Sequence, residues 1–297
     1  MPSFRSPSSQ AAHIMKSLQG KENHLPSVGT VRNYEQSLTR VAAYLKTEIR
    51  GNITLKTLTP DIAISYLEQR GQEVGQKTLD MDRQAIQAMF QHITQQLNPG
   101  ERLPIIKSEH DQILTGRAYT PEQVGLIQSA QTDKNALATE LAYSAGLRAH
   151  ELLTLQPAAE QHPDPRPSLD SKFNGREGQH YTVKGKGGLV REVLIPHPLA
   201  ERLEARRLPE PIKVTDRGIH YQQHYQLGGG KNWSNSYSAA ANRALGWSSG
   251  AHGLRHSYAQ ERMDELQKHH LSREEALRTT SQEMGHFRPE ITETYLR

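Results

Sequence analysis

Cysteine is absent from the 297-residue chain, so disulfides, thiolate zinc sites and cysteine nucleophiles are excluded at once. Large apolar rings are scarce, with four Phe and two Trp. No apolar run approaches the ~20 residues that a helix needs to cross a bilayer, which argues against an integral membrane protein. Residues 1–12 lack the basic start and apolar stretch of a secretory leader, and a cytoplasmic location is expected on that ground. A strong charge of one sign is lacking too. The 36 Lys plus Arg against 32 Asp plus Glu leave +4, which permits a polyanionic partner without requiring one. What remains, 35% hydrophobic and 23% charged residues, is the composition of a globular protein, and the length suits two domains with separate cores.

Residues 1–28 are rich in Ser, Gln and Pro and are expected to form a flexible N-terminal arm. Val31, Tyr34, Leu38, Val41 and Leu45 then recur at alternating spacings of three and four, the stripe of an amphipathic helix. Thr59-Pro60-Asp61 reads as an N-cap, a first-turn Pro and a first-turn acid, opening a helix that buries Ile62, Tyr66 and Leu67. A third stripe, Leu79, Ile86, Phe90, Ile93 and Leu97, stops at the breaker Asn98-Pro99-Gly100. Residues 29–100 are therefore expected to be a helical domain and 101–118 a linker, with a second domain over 119–297. Thr120 and Gln123 form a capping box at its start, and Ser272 and Glu275 another near its end, where Gly285 stands to stop the helix. Pro157 to Gly178 predicts only loop. Tyr181-Thr182-Val183 and Val190 to Ile195, flanking Lys184-Gly185-Lys186-Gly187-Gly188, read as a β-hairpin. Everything after Pro196 reads as helical. The expected fold class is mainly α: a helical N-terminal domain and a mostly helical C-terminal domain with a small antiparallel sheet.

Taken singly, the residues with chemical potential have bland readings: Arg148 as a solvated Arg, Lys186 as decoration of a turn, His286 and Tyr295 as a helix-end His and a half-buried Tyr. The Lys186 turn fails the P-loop pattern, which sets its Lys beside Ser or Thr at a helix start, so ATP is not expected. His252 and Arg255 lie three apart and on a helix share a face, able to converge on one anion. His220 and His224 have helical spacing, but no third ligand stands at a recognisable distance and there is no HExxH pattern, so neither a metal nor a cofactor is expected.

Their joint order resembles the tyrosine recombinase family of phage and mobile-element integrases over nearly all of 31–297. Tyr143-Ser144-Ala145-Gly146-Leu147-Arg148-Ala149-His150-Glu151-Leu152-Leu153 is similar to its first arginine box, and Val183-Lys184-Gly185-Lys186-Gly187-Gly188 to its lysine hairpin. His252-Gly253-Leu254-Arg255-His256 is similar to its His-x-x-Arg box, and Met284-Gly285-His286 precedes Tyr295 by the family's nine-residue interval from His to Tyr. The resemblance implies a site-specific DNA recombinase or integrase, nucleoid-associated, that serves integration or excision of a mobile element. Arg148 and Arg255 would clamp the scissile phosphate, His286 and His252 would add hydrogen bonds, and Tyr295 would attack to form a 3′-phosphotyrosine. Lys186 would protonate the leaving 5′ oxygen, and Glu151 would orient Arg148 or a neighbouring His.

Implied partners are double-stranded DNA with paired half-sites, further copies of the chain (a dimer on a site, a tetramer in the synapse) and an accessory DNA-bending or directionality protein. The two domains, a core-binding one and a catalytic one, would clamp the duplex. Arg32, Arg40, Lys77 and Arg83 are candidate phosphate contacts. Arg297 follows Tyr295 by two residues, where many members continue into a tail that docks on the adjacent protomer, so that mode of assembly is not implied. The rival readings are a non-catalytic DNA-binding relative and a metal-dependent nuclease.

Overall fold

The computed structural model describes residues 6–19, 28–49, 53–112 and 114–297, except for the side chain of Lys186. The chain divides into two units, Met1–Ile113 and Leu114–Arg297.

Helix-period spacing builds the first unit. Its helices are α1 (Pro7–Leu18), α2 (Val28–Thr47), α3 (Pro60–Gly71) and α4 (Gln76–Met89). The apolar stripe of α2 buries Leu38, Val41 and Leu45 against Leu67 of α3 and Leu79 and Ile86 of α4. Helix α1 corrects the expectation of a flexible arm. Ala11, Ile14, Met15 and Leu18 fall on one face and are buried in the same core, and Ser6 caps the helix by accepting from the Ser9 backbone N–H at 3.2 Å. The segment held enough apolar residues for a helix once their spacing is counted. After α4 a single π turn, Phe90–Thr94, ends at Gln95 in a left-handed conformation, so the helix stops short of Leu97. Residues beyond it, expected within the linker, are fastened to this unit. Gln87 Oε1 accepts from Leu103 N at 2.7 Å and Gln76 Oε1 from Ser108 N at 2.9 Å, with Leu103 buried.

The second unit opens with α5 (Pro121–Ser129), whose capping box is closed in both directions by Thr120 and Gln123, and continues with α6 (Asp133–Ser144). A 3₁₀ turn, Glu151–Leu153, leads to the sheet β1 (Gln156–Pro157), β2 (Gln179–Lys184) and β3 (Val190–Ile195), antiparallel in that order. Val183 faces Arg191 across the hairpin, and the Gly185 N–H closes its turn on Leu189 O at 2.7 Å. Helix α7 (His197–Glu204) follows. The next segment departs from the helical expectation: β4 (Arg207–Asp216) and β5 (Ile219–Tyr225) form a second antiparallel hairpin. Pro209 and Pro211 do not break it, because they sit on a largely exposed strand, where a missing N–H costs little. His220 and His224 therefore lie on a strand. Helices α8 (Gly230–Leu245), α9 (Gly253–Lys268), α10 (Arg273–Glu283) and α11 (Pro289–Glu293) complete the unit, with the Ser272–Glu275 capping box formed. The main core joins α5, α6, the β2–β3 hairpin, α7 and α8 through Ile127, Leu141, Val183, Ile195, Leu203 and Trp233. Among the described residues no helix is long and apolar enough to cross a membrane.

Candidate active site

Three helix termini present the site. Two residues past the end of α6 stands Gly146, with φ +58°; a Cβ there would stand 2.8 Å from the Tyr258 ring, so only glycine makes this exit. Arg148 follows directly. His252 caps α9, placing Arg255 and His256 in its first turn. Gly285, at φ +72°, ends α10 and releases His286, and α11 hands on to Tyr295.

Arg255 is fully buried at 0% exposure. Its Nη1 donates to Gly146 O, and its Nη2 donates to Met284 O and to His286 Nε2, both at 3.1 Å. None of these acceptors is a carboxylate, and its Nε has no hydrogen-bond partner. Because an Arg only donates, His286 Nε2 is an acceptor; its Nδ1 then carries the proton and donates to Thr292 Oγ1 at 2.8 Å. Tyr295 closes the group. Its ring centroid lies 5.3 Å from that of His286, 4.8 Å from His256 and 5.4 Å from His252, with the Arg255 guanidinium carbon 5.5 Å away.

Arg148, partly exposed, is held at both ends by Glu151: its backbone N–H donates to Oε2 at 2.8 Å and its Nη1 to Oε1 at 2.7 Å. The turn of the lysine hairpin lies beside this pair, since a Cβ on Gly185 would come 3.4 Å from Glu151 Oε1 and 3.9 Å from Arg148 Nη1.

Positive charge dominates the electrostatics. Burial, then the neighbouring Arg148, pushes the Arg255 guanidinium down to about 10. His286 is pushed down to about 3 by burial, Arg255 and Arg148, and His252 to about 4 by enclosure, Arg255 and His256. His256 falls to about 4 through burial and Arg117. All three imidazoles are neutral at pH 7. Burial opposes ionisation of Glu151, but Arg191 and Arg148 hold its carboxyl far below the usual range.

The same fold occurs in solved structures. XerH site-specific recombinase bound to difH substrate, in a pre-cleavage complex, aligns with a TM-score of 0.58 and 19% identity over 98% of this chain and 81% of its own. The lambda integrase tetramer bound to a Holliday junction gives 0.60 and 14% over 97% and 76%. The Tn1549 transposon integrase in complex with transposon right end DNA gives 0.57 and 14% over 99% and 95%. The chain has the tyrosine recombinase fold. No family model and no curated protein matches its sequence.

Within this tyrosine recombinase fold, Arg148, Glu151, His252, Arg255, His286 and Tyr295 converge in the second unit. The backbone of Lys186 sits in the hairpin turn; its side chain lies outside the described structure. The candidate DNA contacts all lie in the first unit. Arg32 and Lys77 are exposed. Arg40 instead donates to Asp82 Oδ1 at 2.7 Å and Ser37 Oγ at 3.0 Å, and Arg83 to Leu103 O at 3.4 Å. Among the described residues no group of His, Asp and Glu has the arrangement of a metal site.

Three residues at the site escape motif reading. His256 packs on Tyr295 with its Nδ1 unpartnered. Thr292 Oγ1 bonds to His286 Nδ1 at 2.8 Å. Arg191, 5% exposed, donates to Glu151 Oε2 through Nη2 at 2.7 Å. A signal for Arg191 was present in the sequence: it alternates in phase with Val193 and Ile195, the inward positions of β3.

Proposed function

We propose that this chain is a site-specific DNA recombinase that cleaves and rejoins duplex DNA through a phosphotyrosine at Tyr295. The observation that carries this reading is the buried Arg255, which has no directly bonded carboxylate. Beside Arg148 and three neutral imidazoles, it packs against a tyrosine ring. Negative charge growing on the non-bridging oxygens of a five-coordinate phosphorus would relieve the repulsion between the two arginines, so the cluster favours the transition state over the ground state. Tyr295 Oη would form the new P–O bond as the bond to the 5′ oxygen breaks. The phenolic proton would pass to a neutral imidazole of the ring cluster, and Lys186 would protonate the leaving oxygen. The bond energy stays in the phosphotyrosine, and the 5′ hydroxyl of a second strand reverses the step without ATP.

XerH and the Tn1549 integrase are described with DNA substrates, and lambda integrase as a dimer and a tetramer on DNA. By likeness of fold, this chain would act on paired half-sites as a dimer that synapses into a tetramer. The first unit would contact the duplex through Arg32 and Lys77, on behalf of a mobile element and with an accessory DNA-bending protein.

The deciding experiment incubates the full chain with a pool of nicked duplexes of randomised arm sequence and reads the products on a denaturing gel. A protein–DNA band that survives denaturant and EDTA and disappears in Tyr295→Phe is expected. DNA binding without any band would favour the non-catalytic relative. Cleavage that needs Mg²⁺ and leaves no band would favour a nuclease.

A further inference from the structure

Arg191 is a buried cation on β3 that bonds to the segments carrying Arg148 and His286. Its Nη2 and Nε donate to Glu151, at 2.7 Å to Oε2 and 3.4 Å to Oε1. Its Nη1 donates to Glu283 O at 2.6 Å, one residue before the Met284 carbonyl that receives Arg255. Its Nη2 also reaches Gly146 O at 3.3 Å, the same oxygen that Arg255 Nη1 uses. Gly285 makes room for it, since a Cβ there would stand 2.6 Å from Arg191 Cδ.

Five N–H donors in a rigid fork suit one side chain to several acceptors at once. Here two, Glu151 and Gly146 O, belong to the arginine box and one, Glu283 O, to the end of α10, while β3 itself continues from the lysine hairpin. Buried as it is, Arg191 presents nothing to DNA. Resting on the recombinase reading above, we infer that Arg191 is a positioning residue: it locks Arg148, through Glu151, and the Glu283–His286 segment into one phosphate-binding geometry.

The chemistry of Glu151 gives this role a measurable mark. Arg148 and His150 face the carboxylate from its own segment, Arg191 from β3, Arg255 from α9 and His286 from beyond α10. Arg191 is the strongest of the influences that keep it ionised. Without Arg191 the buried carboxyl takes up a proton at a higher pH, releases its hold on Arg148, and cleavage slows as pH falls.

The test compares the wild-type full chain with Arg191→Lys, Arg191→Met and the double variant Glu151→Gln/Arg191→Met, using the nicked-duplex pool. Duplex affinity is expected to be unchanged in all. Arg191→Lys, which keeps a cation but cannot span both acceptors, is expected to form adduct about tenfold more slowly at every pH, the size typical of losing an outer support. Arg191→Met is expected to add a decline as pH falls that begins at a higher pH than any in wild type. The double variant, with no carboxyl left to titrate, is expected to be slow and flat. A merely structural arginine would not give a decline that Glu151→Gln abolishes. An Arg191→Met chain with the wild-type rate and pH profile overturns the inference. If removing the buried cation prevents folding, Arg191→Lys decides it alone, and a wild-type rate overturns it.

Amide exchange separates the two readings. The Arg148 N–H, bonded to Glu151, is expected to lose protection in Arg191→Met or Arg191→Lys. If wild type forms no adduct, the recombinase reading fails. The positioning link then stands on lost protection at Arg148 and falls on unchanged protection.

Discussion

The two units of the molecule each bury an ionic cluster, and they finish the task differently. In the first, Asp82 is fully buried and accepts from Arg40 at 2.7 Å, from the Tyr66 hydroxyl at 3.0 Å and from Arg70 at 3.5 Å. The carboxylate has its partners, and both cations reach partly into water. In the second, Glu151 is satisfied by Arg148 and Arg191, but Arg255 beside them has only carbonyls and an imidazole. A closed cluster holds helices together; under the recombinase proposal, the open one would take its counter-charge from the DNA phosphate. The same residue types thus read as scaffold or as site according to whether the charges balance locally.

The comparison can be broken most sharply at the open cluster. Tyr295→Phe is expected to keep DNA affinity and abolish the covalent adduct on a denaturing gel; an adduct that persists would name another nucleophile. Lys186→Ala is expected to slow cleavage by ~10²–10⁴, the range for lost proton transfer. A 5′-bridging phosphorothiolate, whose sulfur leaves without a proton, should restore Lys186→Ala to near the unmodified rate while Arg148→Ala stays slow on both substrates. Failure of that rescue would make Lys186 a phosphate contact and pass the proton to Lys184.

At the closed cluster the expected loss is of stability. Asp82→Ala should cost about 2 kcal/mol in denaturant melts, chiefly because it leaves the buried Tyr66 hydroxyl without its acceptor; Arg40 and Arg70 are partly exposed, and Arg70 keeps Glu73. A variant as stable as wild type would show that this cluster is not scaffold. The last effect is one of pH. His286, His256 and His252 titrate in the folded chain near 3, 4 and 4 against about 6.5 unfolded. The unfolded chain therefore binds more protons in between, and stability should fall as pH drops from about 6.5 toward 4. Sulfate, by filling the anion site, should reduce that fall; melting curves with no such sulfate effect would argue that the positive cluster binds no anion.

Local signals made much of this legible. Capping residues at Thr120 and Ser272 marked helix starts, the Gly-rich turn marked β2–β3, and the spacing of α2 marked its buried face. The missed elements are those whose sequence is locally weak. Helix α1 has few apolar residues, though they are well spaced. The β4–β5 hairpin is largely exposed and carries prolines, so its alternation is faint. At the site, motif order brought out six of the converging side chains, but Arg191 acts on partners 40 and 92 residues away. Only the pairing of β3 with β2 and the end of α10 joins those segments in space, and no local window contains that information.

The Gly146 carbonyl, shared by Arg191 and Arg255, has an evolutionary consequence. A backbone oxygen belongs to no side chain, so no point substitution deletes it, and at Gly146 the left-handed turn and the Tyr258 ring leave no room for another residue. Both guanidiniums are thus anchored on an acceptor that mutation can displace but not replace. Variation in this site must enter through the arginines or the segments around them, while the point they share stays fixed.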